Sequence, residues 1–183
     1  MNGTALVAHA SHDGHAAAIA ARIAARLDGA ETHDLVAHGA PEARLAATRL
    51  AVLVAAVRYG RHLAVAEDFL RVYTRLDAPP PLALASVNLT ARKPPKSSPT
   101  TNPYFVKLVA RHRLEPAQGA VFAGKLDYPR YRWFDRQMIR LIMALTGGPT
   151  DGTSVVDYTD WGAVDAFAEA LRAPAPAAPA SAL

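Results

Sequence analysis

Cysteine is missing from all 183 residues. Disulfides, zinc–thiolate sites, iron–sulfur clusters and thiol catalysis are thereby excluded, and the chain suits a reducing compartment. Membrane-length apolar runs are missing too. The longest clean one, Leu50 to Val57, falls far short of a bilayer span. No basic segment precedes an apolar core at the N-terminus, so no secretory signal is expected and a cytoplasmic setting is. The sequence also lacks a serine nucleophile elbow, a P-loop and a paired-carboxylate layout. No residue presents itself as a catalytic acid or base.

What is present is a globular composition, 51% hydrophobic and 20% charged, enough for one folded domain with a real core. Alanine supplies 40 residues, so helix assignments resting on alanine alone are discounted. A net charge of +4 hides an asymmetry. Residues 92–140 hold eleven Lys/Arg against three acids, which makes that stretch +8 and the remainder −4. The same stretch holds seven of the thirteen aromatics. A basic run alone is commonly a solvated face. Interleaved with aromatic rings, it suits an anionic partner: nucleic acid, an anionic membrane surface or a polycarboxylate small molecule.

Apolar runs and helical periodicities alternate along the chain. Strands are expected at Thr4 to Ala8, Thr32 to Val36, Leu50 to Val57, Leu82 to Leu89 and Ala120 to Ala123. Helices are expected at His15 to Leu27, after Gly60, at Tyr104 to His112, at Phe134 to Leu145 and at Trp161 to Leu171, with residues 38–48 a loop holding at most one helical turn. Strands this apolar are covered on both faces, so the fold class is α/β: a flavodoxin-like, doubly wound, five-stranded parallel sheet in a single domain, residues 1–172. A basic helical insert, about 125–148, follows strand five, and residues 173–183 form a disordered Ala/Pro tail. In such sheets ligands sit beyond the carboxyl ends of the strands, at the switch point.

Polar or glycine residues follow four strands, at Ser11 to His15, Arg58 to Gly60, Ser86 to Asn88 and Gly124-Lys125, and these loops are expected to converge on one crevice. The turn Ser11-His12-Asp13-Gly14-His15 precedes a helix, where backbone N–H groups favour a phosphate; a simple cap by Ser11 or Asp13 reads equally well. His9, His12 and His15 form an H-x-x-H-x-x-H string. They fall on a strand end, a turn and a helix start, so they are not expected to converge on a metal. Arg58-Tyr59-Gly60 ends the central strand. Gly60 allows a ring to approach the backbone, Tyr59 offers a stacking face and Arg58 a partner for an anion, although a tight turn with a capping arginine needs no ligand. The crevice reads as a cofactor site.

At larger scale the sequence resembles a known family. The blocks are Arg58-Tyr59-Gly60, Ser86 to Pro94, Thr101-Asn102 with Tyr104, Tyr128-Pro129-Arg130-Tyr131-Arg132-Trp133-Phe134-Asp135-Arg136, Gly147-Gly148 and Tyr158-Thr159-Asp160-Trp161. They resemble the menaquinone-dependent protoporphyrinogen IX dehydrogenases, the flavodoxin-type protoporphyrinogen oxidases of bacteria, over roughly residues 4–172. The resemblance implies FMN-dependent oxidation of protoporphyrinogen IX to protoporphyrin IX in haem biosynthesis, with electrons passed to a membrane quinone, menaquinone or ubiquinone. It implies that Ser11, His12, Asp13, Gly14 and His15 hold the FMN phosphate, and that Arg58, Tyr59, Gly60, Ser86, Val87, Asn88 and Leu89 flank the isoalloxazine ring. Arg92, Lys93, Arg130 and Arg132 would meet the substrate's propionates, and Tyr128, Tyr131 and Trp133 its flat ring. The same insert would touch anionic lipid, placing the protein peripherally on the inner face of the cell membrane. No resident metal and no nucleic-acid partner are implied, and a homo-oligomer is left open.

Other readings compete. Leu6 to Ser11 resembles the strand-end His-Gly-Ser opening of the class II tetrapyrrole metal chelatases, with His9 as ligand; the Arg58 and Tyr128 blocks point away from it. A porphyrin-binding paralogue that has lost FMN is a second. A flavodoxin-like electron carrier is a third, which the +8 stretch disfavours because small flavodoxins are typically acidic.

Overall fold

The computed structural model describes residues 4–172; the tail expected to be disordered, 173–183, lies outside them. Chain order is β1 (Ala5–Ala10), α1 (His15–Ala24), β2 (Glu31–Asp34), α2 (Leu35–His38), α3 (Glu42–Ala47), β3 (Leu50–Arg58), β4 (Arg61–His62), α4 (Ala64–Tyr73) and β5 (Leu82–Asn88). It continues with α5 (Pro103–His112), β6 (Gln118–Ala123), β7 (Lys125–Asp127), α6 (Trp133–Thr146), β8 (Val155–Asp157) and α7 (Trp161–Arg172). Short 3-10 turns occupy Leu89–Arg92, Pro94–Lys96 and Tyr128–Arg130.

The five long strands pair in parallel in the order β2-β1-β3-β5-β6. This is the doubly wound order whose switch point lies between β1 and β3. Every residue of β1 and β5 is buried, yet the alternation of side chains still sorts them. Ala5, Val7, Val52, Val54, Ala83 and Ala85 pack with α1 and α7. Leu6, Ala8, Leu53, Leu82 and Leu84 pack on the opposite face with Leu45, Phe69 and Leu108. Two layers of helix therefore bury one sheet, as apolar runs without polar alternation require.

Local chemistry shifts several expected boundaries. The second strand ends at Asp34, because its carboxylate accepts from the N–H groups of Val36 and Ala37 and caps α2. The helix expected directly after Gly60 is preceded by β4, which doubles back on β3 through Tyr59 and Gly60, both at positive φ (50° and 75°). The insert is longer than expected. It opens and closes with the antiparallel pair β7–β8 and has its own small core of Leu126, Tyr128, Tyr131 and Met143. Phe134, Met138, Leu141, Ile142 and Leu145 do not bury together on α6. Met143 is buried, Met138 and Ile142 face a cleft, and Phe134, Leu141 and Leu145 stand in solvent at 63%, 56% and 79% exposure. The apolar stripe is wider than the surface it packs against.

Candidate active site

The carboxyl ends of β1, β3 and β5 leave three loops side by side, and α6 of the insert forms a fourth wall. Together they enclose a cleft of about 970 Å³, counting its open mouth. Ten of the twelve cofactor residues expected from sequence line it: Ser11, His12, Asp13 and His15 from the first loop, Arg58, Tyr59 and Gly60 from the second, and Val87, Asn88 and Leu89 from the third. Gly14 and Ser86 do not. Gly14 starts α1 at φ 84°, a conformation glycine adopts without strain. Ser86 is fully buried beneath the floor.

Ser86 belongs to a polar network that shapes the floor. His62 Nε2 lies 2.9 Å from its hydroxyl, and Asn88 donates to the same oxygen at 3.2 Å. Asn88 Oδ1 accepts from the Thr90 hydroxyl, the Ala91 amide and Asn102 Nδ2. Asn102 in turn caps α5, accepting from the N–H groups of Tyr104 and Phe105. Burial pushes the pKa of His62 down to about 4, so its ring is neutral at pH 7.

Among the described residues, two buried polar atoms of the cleft lack hydrogen-bond partners: Ser11 Oγ and Arg58 Nη1. Orphaned donors are costly unless a ligand satisfies them. Arg58 is otherwise held by Asp135 of α6, which it meets through Nη2, and lies 3.8 Å from Asp13. Burial raises the pKa of Asp13. The first amide bonded within α1 is that of Ala18, to the Gly14 carbonyl at 3.0 Å, so the first-turn amides remain available to an anion. These features fit a phosphate in the first turn.

His15 is less available than its position suggests. Its Nε2 lies 2.6 Å from the Thr159 hydroxyl, which donates to the Ala123 carbonyl. Burial lowers its pKa as well, and the ring is tied to the connection before α7. His9 is buried in β1 and does not line the cleft. Among the described residues no group of metal-ligating side chains could hold an ion.

The expected substrate residues disperse. Tyr131 lines the cleft, its hydroxyl accepting from the Asp127 amide. Tyr128 is fully buried in the insert and donates to the Pro149 carbonyl, which keeps its ring away from any ligand of the cleft. Arg92 donates to the Leu89 carbonyl and lies over the Tyr158 ring. Lys93 and Arg130 are exposed, and Arg132 and Trp133 border a side depression with Tyr59 and Phe134. Sequence reasoning missed the far wall, Met138, Ile139 and Ile142, because helical periodicity does not say which neighbour an apolar stripe meets. It also missed Asp135, which reaches the cleft only through the insert's fold, whereas Gly124 and Lys125 line it as expected of the loop after the fifth long strand.

A parallel sheet in this order, with a ligand-sized cleft at its switch point and unsatisfied donors in the first turn, defines a flavodoxin-type protein. The sequence matches the flavodoxin domain over residues 6–153, which implies a flavin. It is 39% identical over 169 residues, 91% of this chain and 93% of the relative, to a protein named protoporphyrinogen IX dehydrogenase (quinone) from Escherichia coli strain K12. A protein of the same name from Leishmania major is 43% identical over 122 residues, 67% of this chain and 53% of that one. The chain belongs to this family of quinone-type protoporphyrinogen IX dehydrogenases. Among solved structures, oxidised flavodoxin 1 from Bacillus cereus aligns at 14% identity with a TM-score of 0.47, covering 66% of this chain and 84% of the other.

Proposed function

We propose that this protein oxidises protoporphyrinogen IX to protoporphyrin IX with FMN as cofactor and delivers the electrons to a quinone. The observation that carries the reading is the family likeness along nearly the whole chain, together with a cleft whose orphaned donors suit a phosphorylated flavin. Bound FMN supplies a two-electron acceptor, so full aromatisation takes three rounds.

The residues divide the remaining work. Ser11 and the first-turn amides of α1 bind the phosphate. Tyr59 and the 87–89 loop flank the ring, with Gly60 letting the ring approach the backbone. Met138, Ile139 and Ile142 exclude water from the cleft. Arg58 stays oriented by its ion pair with Asp135. The chelatase alternative would need His9 to reach the cleft, and its place in the buried β1 disfavours it.

A membrane role belongs to the same reading. Trp133, Phe134, Leu141 and Leu145 are more than half exposed on one helix, and Arg130, Arg132 and Arg140, close by in sequence, are exposed as well. Exposed apolar side chains with exposed cations on the same segment suit an anionic lipid surface, where a quinone resides. No helix among the described residues is long and apolar enough to cross the bilayer. The test is the visible spectrum of the protein with FMN, then anaerobic protoporphyrinogen IX. Bleaching on substrate and recovery with quinone are expected; a flavin spectrum that substrate leaves unchanged would overturn the assignment.

A further inference from the structure

The lysine and arginine that line the cleft are each held by an acid, although Arg58 keeps Nη1 without a hydrogen-bond partner among the described residues. Arg58 is paired with Asp135, and Lys125 lies 3.2 Å from Asp127. A second, cationic groove adjoins the cleft. It runs between β4 and α5, and it shares Gly60 and Tyr104 with the cleft, so one extended ligand can occupy both. Its cations are Arg61 beside the β3–β4 turn, and Lys107 and Arg111 one helical turn apart on α5. Its one acid, Glu67, is spent: it accepts from Arg111 at 2.6 Å and faces His112 Nε2 at 2.6 Å. His62, neutral by burial, adds no charge. Arg61 and Lys107 are both exposed, and neither has an ion pair among the described residues.

We propose that Arg61 and Lys107 hold the two propionate carboxylates of the tetrapyrrole, fixing its apolar body over the flavin cleft. The inference rests on the function proposed above. Its chemistry follows from the substrate's asymmetry: both propionates project from one edge of the macrocycle, so a single cationic groove on one side of the cleft serves both. Exposed guanidinium and ammonium groups with no internal acid are the ones able to take a new carboxylate without breaking an existing pair. The exposed insert arginines are then left for the lipid surface.

The test uses the full chain and two stable porphyrins, protoporphyrin IX and its dimethyl ester, titrated by Soret absorbance. The wild type is expected to bind the free acid more tightly than the ester. Arg61→Gln with Lys107→Gln is expected to weaken the free acid by about 100-fold, roughly tenfold per carboxylate, and to leave the ester, the FMN affinity and the thermal midpoint unchanged. Retained free-acid affinity in the double variant overturns the inference while leaving the function standing, as does a wild type that binds acid and ester alike. A wild type that binds neither porphyrin overturns the inference as well, and the function stands or falls separately on whether protoporphyrinogen IX bleaches the bound flavin.

Discussion

His62 offers a sharp test of how the cleft floor is held. Its ring is buried, within 2.9 Å of the Ser86 hydroxyl, and its pKa falls from 6.5 to about 4. Between those values the unfolded chain binds a proton that the folded chain refuses. Stability from this residue is therefore complete above pH 6.5, is lost as pH falls toward 4, and changes no further below that. Two and a half pKa units correspond to about 3 kcal/mol in full, of which ~2 kcal/mol disappears between pH 7 and pH 5. His9 and His15 have lowered pKa values too, so the wild-type slope alone does not isolate the effect. His62→Gln keeps a side-chain partner for Ser86 and removes the titration. Urea unfolding of both proteins at pH 7 and pH 5 is the assay, with the wild type expected to lose about 2 kcal/mol more than the variant. Parallel losses within about 0.5 kcal/mol would refute the reasoning, because burial could not then be what keeps the ring neutral.

Three further outcomes are expected. Asn102→Ala removes the cap of α5 and a partner of Asn88, so chemical denaturation should show a loss of about 2–3 kcal/mol. Ser11→Ala removes a buried hydroxyl that has no hydrogen-bond partner among the described residues and that we propose binds the FMN phosphate; flavin fluorescence titration should give an FMN affinity about tenfold weaker, with folding stability unchanged. Phe134→Ser with Leu145→Ser alters side chains that are 63% and 79% exposed; co-sedimentation with vesicles containing phosphatidylglycerol should fall several-fold while the thermal midpoint stays put.

Much of the scaffold was legible in the sequence because the signals are local. The unbroken apolar runs at Leu50 and Leu82 could only become strands covered on both sides, and Gly147 after an amphipathic stretch stopped α6 at φ 68°. The loops after the strands then had to meet at the switch point, so most of the residues lining the cleft are nameable from the sequence. The second strand was overextended because Leu35 and Val36 read as strand formers, while the Asp34 carboxylate capped a helix there instead. The β3–β4 hairpin was not legible, since it depends on Tyr59 adopting a positive φ, rare for a bulky residue.

Charge was the harder matter. The sequence by itself determined that cations and aromatics concentrate in residues 92–140, that the fold is doubly wound, and to which family the chain belongs. Which cations are spent was decided only by tertiary structure. Glu67 and Arg111 are 44 positions apart, and Arg58 and Asp135 are 77 apart. Whether Tyr128 presents its ring or buries it was likewise settled by the insert's own core. Periodicity fixes which residues share a face, whereas ion pairing and burial depend on which faces meet. That is a property of long-range packing, and no local pattern carries it.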